Sequence, residues 1–537
     1  MSDACHYKFL VIDNQDLLEI NNLKRKTNQA VKHPEPVLKL DAPWDTRKSD
    51  ALCGINVIYD EQDELFKMWY TVMGIFSGQY WESGRKSAYA TSKDGIHWEK
   101  PIMNMVEING SKENNYIFGE MVSLNYTIII DPSDIPARRY KMILAVDSKE
   151  TSWAKFHVPL NLAYSSDGII WNRPGHVNPV MRGISDGVWS LLYDRDRRKY
   201  QIYSRRVPNL PRDISLYESH DLVNWEDKGR VLVGGDELDP PEMYNLHGMI
   251  PFFYEDFCLA VLETIYFLPE MENACVHQAP SEDWPFKNLG ILDIQFSYSR
   301  DGQTWSRPQD RSPIIPTGSS DSPDEGVTFS ARSAPLVIDG DTWMYYTACR
   351  NRHTYWSQKE IMAKYGNDAR QSHCAMLAIM PEDHWVSLDA DNNEGHFVCK
   401  PWGPPHEIFV NTDAEGGSVE AELVTPYGKV VPEYSRGDCV AITANGKNQL
   451  LKWKHGKSPW ETIAKDHLGG LLVKFYLKNA KLYSYTFTLP DPNGQLEQDR
   501  VNARWCESIK HRSNNWGKNS NEPAGGVPAY TEQMTEN

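Results

Sequence analysis

The chain has 537 residues, a formal net charge of −17, 40% hydrophobic residues, and 18 Trp and 27 Tyr. That length exceeds one ordinary domain and can bury a large core. The acidic balance argues against a nucleic-acid partner, which needs a basic field, and no apolar run approaches the ~18 residues of a membrane-crossing helix, so no membrane partner is expected either.

Nine Cys are scattered at positions 5, 53, 258, 275, 349, 374, 399, 439 and 506. They are odd in number and include no Cys-x-x-Cys, which points to neither a zinc site nor a disulfide framework. No metal and no cofactor is expected. The segment Met1 to His6 lacks a basic-then-apolar leader, so a cytoplasmic location is expected. Nothing in the composition fixes the oligomeric state.

Residues 7–40 carry one apolar strand, Phe9 to Ile12, and a polar connection. From there the chain repeats. Alternating segments ending in turn residues read as strands. The first set is 54–60, 65–70 and 88–91, the second 126–131, 139–144 and 162–164, and the third 187–194 and 199–205. The fourth is 248–252, 258–263 and 294–298, and the fifth 334–338, 342–346 and 375–378.

A Ser-x-Asp-Gly-x-x-Trp motif closes these sets at Ser92 to Trp98, Ser165 to Trp171 and Ser299 to Trp305. Ser219 to Trp225 lacks only the glycine, and Met380 to Trp385 is a fainter fifth copy. The Trp-to-Trp spacings of 73, 54, 80 and 80 residues suit one propeller blade per repeat, with long loops. Asp-Gly makes a tight turn and the Trp packs as a wedge between neighbouring sheets, so the motif is scaffold.

After Glu407 the motif stops. Short strands at 409–411, 418–423, 439–442, 450–454, 471–475 and 481–487 read as a β-sandwich. The fold class is therefore all-β: a five-bladed β-propeller followed by a β-sandwich. The expected domains are an N-terminal strand and connection at 1–40, the propeller at 41–404, the sandwich at 405–488, and a polar tail at 489–537.

This layout resembles the fructan hydrolases and invertases, which share their propeller with the arabinanase/xylosidase and levansucrase families. The chain is more closely similar to uncharacterised glycosyl hydrolase family 32-like proteins of environmental bacteria. The residues that carry the likeness are Asp131 to Met142, Leu65 to Tyr70 and the repeated motif, over about residues 8–488. The invertase signatures Trp-Met-Asn-Asp-Pro-Asn, Arg-Asp-Pro and Glu-Cys-Pro do not occur.

The resemblance implies a glycoside hydrolase or transglycosylase acting on a carbohydrate or glycoside. Two carboxyls would do the chemistry, one protonated and one ionised, placed where the innermost strands start. Asp50 falls where the nucleophile or base belongs, Glu242 where the proton donor belongs, and Asp186 where an orienting carboxylate belongs. Each also reads as an ordinary turn or cap residue. Trp44, Asp45, Asn125, Arg205, His247, Glu325, Arg332 and His353 are candidate substrate-binding residues. The arginines could hold a sugar carboxylate or sulfate, or could pair with acids of the funnel. The segment Asp236 to Asp239 reads as a solvated acidic loop. Two alternatives stand beside hydrolysis: a non-catalytic carbohydrate-binding propeller, and a propeller recruited to elimination or cyclisation of a glycoside or natural product.

Overall fold

The computed structural model describes residues 4–48, 50–74, 86–118, 122–146, 159–182, 188–206, 212–239, 245–266, 290–350, 352, 370, 372–463 and 470–490. Nearly all ordered elements among them are strands. The only α-helix among the described residues is Pro459–Ile463.

The chain divides into two compact units, residues 29–381 and residues 1–28 with 382–537. The expected boundaries at 40/41 and 404/405 thus differ from the observed ones at 28/29 and 381/382. The cause is strand pairing. Ala4–Leu10 lies antiparallel to Ala480–Pro490, and Lys24–Thr27 to Val386–Ala390, so the strands that open the chain are hydrogen-bonded to those near its end. The faint fifth motif copy falls at this junction and makes no such turn. Its Asp383 instead accepts Lys8 Nζ and Ser484 Oγ within the smaller unit.

The smaller unit is a β-sandwich. One sheet runs Gly446–Leu450, Ile408–Asp413, Ala480–Pro490, Val386–Ala390, Lys24–Thr27, with Ala4–Leu10 also on Ala480–Pro490. The other runs Leu17–Asn21, Gly395–Cys399, Leu472–Lys478, Ser418–Val424. Alternate residues of both, among them Leu388, Val410 and Tyr485 against Phe397, Val419 and Phe475, bury into one apolar core.

The described strands of the larger unit fall into five antiparallel meanders. The first is Asp50–Asp60, Leu65–Gly74, Lys86–Ser92, Tyr116–Phe118. The second is Val122–Ile130, Tyr140–Val146, Leu160–Ser165. The third is Trp189–Asp194, Lys199–Arg206, Asp213–Ser219, Glu226–Val233. The fourth is Asn245–Tyr254, Phe257–Tyr266, Ile291–Ser299. The fifth is Val327–Ser330, Asp341–Cys349, His373–Met380, with Val31–Lys32 as its outer strand. A single parallel pair, Leu292 with Val327, merges the fourth and fifth into one sheet.

The fifth inner strand starts earlier than its sequence suggests. Val327–Ser330 and Leu336–Ile338 both pair with Asp341–Cys349, and the interruption contains Pro335, which has no N–H to give.

The first strands of the meanders form a ring. Asn56 Nδ2 donates to Tyr126 O at 2.9 Å and Thr127 Oγ1 accepts Leu191 N at 3.1 Å. Ser190 Oγ donates to Met249 O at 2.7 Å, and Arg332 N to Ile55 O at 2.7 Å. Three side-chain bonds and one backbone bond thus stand in for a sheet ladder around the axis, the arrangement of a β-propeller. Lys32 closes it on the outside, with Nζ 2.6 Å from Asp324 Oδ2.

The repeated motif is a hydrogen-bonded turn. Ser92 Oγ donates to Asp94 Oδ1 and accepts Gly95 N, and Asp94 Oδ1 also accepts Ile96 N and His97 N. Residues 165–171, 219–225 and 299–305 repeat this pattern. The fourth residue of each has positive φ, glycine in three copies and Leu222 at φ 65° in the other. Its carbonyl accepts the motif's own Trp. In three copies it also accepts an aromatic from the preceding meander: Tyr345 on Gly95, Trp69 on Gly168 and Tyr203 on Gly302.

Gly168 tests this join. Its φ is +79°, and a Cβ there would lie 2.6 Å from Trp69 Cζ2, whereas Gly110, at φ +82°, has nothing within 4 Å. Gly110→Ala should cost about 1 kcal/mol for the backbone alone, and Gly168→Ala about 3 kcal/mol or more. Urea unfolding midpoints check the difference; equal losses would deny the join its role.

Candidate functional site

The innermost strands start at one end of the ring, and a buried ionic group sits there. Glu263, near the end of the apolar strand Phe257–Tyr266, is fully buried. It pairs across the sheet with Gly248, where the register shifts around His247. A Cβ on Gly248 would lie 2.8 Å from Glu263 Oε2 and 2.3 Å from Val188 Cγ1. The bare glycine is therefore what lets the carboxylate lie against the inner strand.

Both oxygens of Glu263 are served. Oε1 accepts Ser330 N at 2.9 Å, Ser330 Oγ at 2.8 Å and Arg332 Nη1 at 2.7 Å. Oε2 accepts His247 Nδ1 at 2.6 Å. Arg205 Nη1, from the third meander, donates to His247 O at 3.3 Å. Burial alone would raise the Glu263 pKa, but the Arg332 charge and the bonds from His247 and Ser330 outweigh it and hold the carboxyl well below its usual range. Burial, with the Arg205 charge beside it, lowers His247 to about 4. At neutral pH a neutral imidazole thus donates its Nδ1 proton to an ionised carboxylate.

A second carboxyl has the opposite character. Asp293 pairs with Thr264 and accepts Tyr266 OH on Oδ2 at 2.8 Å. Tyr266 OH accepts Gln295 Nε2, Gln295 Oε1 accepts Arg307 Nη2, and Arg307 Nη1 donates to Asp239 Oδ2 at 2.7 Å. Burial pushes Asp293 up to about 7 against the Tyr266 bond and the Arg307 charge. Asp239 is also held by Arg311 and its side chain is covered, whereas Asp236, Glu237 and Leu238 are exposed, so the solvated-loop reading stands for those three and is corrected at Asp239 alone.

The sequence-chosen residues fall into four groups. Arg205, His247 and Arg332 come together around Glu263. Asp50 is the first residue of the first inner strand and is buried, with Arg47 Nε at 3.7 Å. Its charge also acts on the partly buried Lys86. Trp44, Asp45 and Glu325 have structural partners. Trp44 Nε1 donates to Asn115 Oδ1, and its ring packs on the core between the first and fifth meanders. Asp45 accepts Ala42 N, Tyr116 OH and Lys100 Nζ. Glu325 accepts Asp321 N within a loop turn. Asn125 lies in the second inner strand, but its side chain, like all of Asp186, Glu242 and His353, lies outside the described residues.

Glu263 lies near the end of the second strand of its meander, away from the inner-strand starts where the sequence places its candidate carboxyls. A glutamate inside the apolar run Cys258 to Ile265 was the available signal, since such a residue is rarely buried unpaired. Among the described residues no group of three or more His, Cys, Asp or Glu could hold a metal ion. No described helix is long and apolar enough to cross a membrane.

No family model and no curated protein matches the chain. Solved structures do. A GH32 beta-fructofuranosidase from Bombyx mori is 12% identical, with 90% of this chain and 95% of that one covered and a TM-score of 0.39. A beta-1,2-mannobiose phosphorylase from Listeria innocua is 12% identical, covering 65% and 96%, with a TM-score of 0.40. A glycosyl hydrolase from Bacteroides ovatus is 12% identical, covering 68% and 97%, with a TM-score of 0.37. The likeness is remote in all three.

The pH behaviour of the buried pair follows from the two shifts. His247 binds its proton less readily folded than unfolded, so stability falls as pH drops from about 6.5 toward 4. Glu263, depressed in the fold, contributes stability that is present above its ordinary range near 4.5 and is lost as pH falls through it. Asp293, raised in the fold, acts in the opposite sense as pH falls below 7, so the test is a difference: between pH 6.5 and 4, thermal melting should show wild type losing more stability than His247→Gln. An unchanged slope in His247→Gln would contradict the neutral assignment.

Proposed function

We propose that the chain is a glycoside-processing propeller enzyme that cleaves a glycosidic bond with carboxylates at the strand-start end of the ring. The observation that carries this reading is the place of Asp50, a buried carboxylate on the first residue of the first inner strand. The same end of the ring holds Arg205, His247, Glu263 and Arg332. The sequence resemblance to propeller glycosidases supplies the reaction class.

In this reading Asp50 is nucleophile or base, and cations face it, as an ionised carboxylate requires. Glu242 donates the proton to the leaving oxygen, and Asp186 holds sugar hydroxyls. Both roles come from the sequence. Glu263, buried and bonded on both oxygens, is given the part of fixing Arg332 and His247. The five meanders are taken as five blades, each sending one inner strand to the axis.

A panel of aryl glycosides and natural oligosaccharides tests the assignment. Asp50→Asn should lose roughly 100- to 10,000-fold in kcat/KM on the substrate that wild type cleaves. Glu242→Gln should lose as much on poor leaving groups and far less on an activated aryl group, which departs without a proton. Equal losses on both would remove Glu242 from the donor role. Sugar binding without cleavage in wild type would favour a carbohydrate-binding propeller instead.

A further inference from the structure

We propose that Lys86 is a positioning residue for Asp50: from the third strand of the first meander it faces that carboxylate and holds it ionised for bond cleavage. The inference rests on the glycoside reading above and deepens it by naming what governs the nucleophile or base.

Strand register places the two on one face. Asp50 pairs with Gly74, and Val72 pairs with both Leu52 and Lys86. Paired residues point to the same side of a sheet, and so do residues two apart on a strand. Asp50, Leu52, Val72 and Lys86 therefore share a face. The residue opposite Asp50 is a glycine, which leaves the diagonal from Lys86 open on that side. Lys86 opens its strand at the end of the ring where Asp50 opens the inner one. Its Nζ lies over the ring of Tyr116, 5.6 Å from the centroid. Tyr116, Leu52 and Val72 belong to one apolar core.

An ammonium set against an apolar core needs an anion near it, because burial penalises the charged form. Two carboxylates are at hand. Asp45 is already engaged: its oxygens accept Ala42 N at 3.1 Å, Tyr116 OH at 3.2 Å and Lys100 Nζ at 3.1 Å. Asp50 is the stronger partner. Burial lowers the Lys86 pKa, and the Asp50 charge opposes this more than the Asp45 charge does. The dependence is mutual, since the attraction that keeps the ammonium charged also favours the charged carboxylate.

Other ionisable groups face this pair. Arg47, on the turn before Asp50, puts Nε 3.7 Å from Oδ1, but its side chain is 41% exposed and water screens its charge. Asp41 shares Lys100 with Asp45. Tyr70, on the second strand, and Tyr116, on the fourth, are pushed up by burial and by the Asp45 charge and stay neutral. Arg370, ahead of the last strand of the fifth meander, donates to Asp45 O. Among these groups Lys86 is the partly buried cation that answers Asp50.

Two measurements on the full chain test this, with melting curves to establish that each variant folds. The first is the pH profile of kcat/KM on the aryl glycoside that wild type cleaves, whose acid limb reports the group that must be ionised. Lys86→Met should move that limb to higher pH, losing about tenfold more at the acid end than on the plateau. Lys86→Arg keeps the charge and should leave the limb in place. An equal loss across the whole profile in Lys86→Met, or a limb moved as far by Lys86→Arg, would overturn the positioning role and leave the glycoside reading standing. The second needs no substrate: reductive methylation with isotope-labelled formaldehyde, read by NMR. The Lys86 resonance, assigned by its absence from Lys86→Arg, should titrate at lower pH in Asp50→Asn than in wild type, and Asp45→Asn should move it less. A Lys86 titration indifferent to Asp50→Asn would overturn the pairing. A titration that follows Asp50, in a wild type that cleaves nothing in the panel, would keep the pairing and count against the glycoside reading.

Discussion

The ring depends on the carbonyl oxygen of one turn residue. In the first, second and fourth meanders that oxygen accepts the indole of its own motif and an aromatic of the meander before it. The first bond fixes the turn and the second fixes the neighbour. A buried hydrogen bond is worth only about 1 kcal/mol net, but the aromatics it aligns bury far more. Trp98 on Tyr345, Tyr140 on Trp171 and Tyr203 on Trp305 all meet edge to face at centroid distances of 5.6–6.4 Å. At the far end of the inner strands a polar latch repeats the principle: Asp60 accepts Tyr140 OH and Asp131 accepts Tyr200 OH.

A ring held at its periphery can leave its centre polar. That freedom is visible in the fourth meander, where two carboxyls one register step apart have their pKa values pushed in opposite directions. Glu263 is surrounded by donors and stays ionised. Asp293 has one donor and the weight of burial, and it holds its proton toward neutrality. Environments that push two carboxyls apart are what acid–base chemistry and selective binding both draw on. The difference is produced by which face each side chain takes, and that is set by strand register and by the missing side chain at Gly248.

The scaffold was legible because its signal is local. Ser-x-Asp-Gly-x-x-Trp closes its own hydrogen bonds within seven residues, so the turn, the meander before it and the repeat could be read from letters alone. Leu222 shows the tolerance of the pattern, taking with a side chain the φ that glycine takes elsewhere. Other features depend on partners hundreds of residues away and left no local trace. These include the pairing of Ala4–Leu10 with Ala480–Pro490 and the outer strand Val31–Lys32. Site residues divided in the same way. His247, Arg205 and Arg332 stood at strand ends and were noticed, whereas Glu263 lay one strand further out. Trp44 and Asp45 were polar or aromatic residues before a strand, and their partners Asn115, Tyr116 and Lys100 were invisible without the fold.

Residues Val31–Lys32 complete a sheet whose other strands end at Met380. The ribosome therefore delivers the last edge of the ring first and its partner some 340 residues later, so the nascent propeller has to wait, unsealed, for its final strand. A chain clipped just after Leu40 would keep every inner strand and every motif turn, yet leave His373–Met380 as a bare apolar edge. Unpaired edges of that kind recruit strands from other molecules. The outer strand Val31–Lys32 is thus what keeps the edge of His373–Met380 from offering itself to another chain.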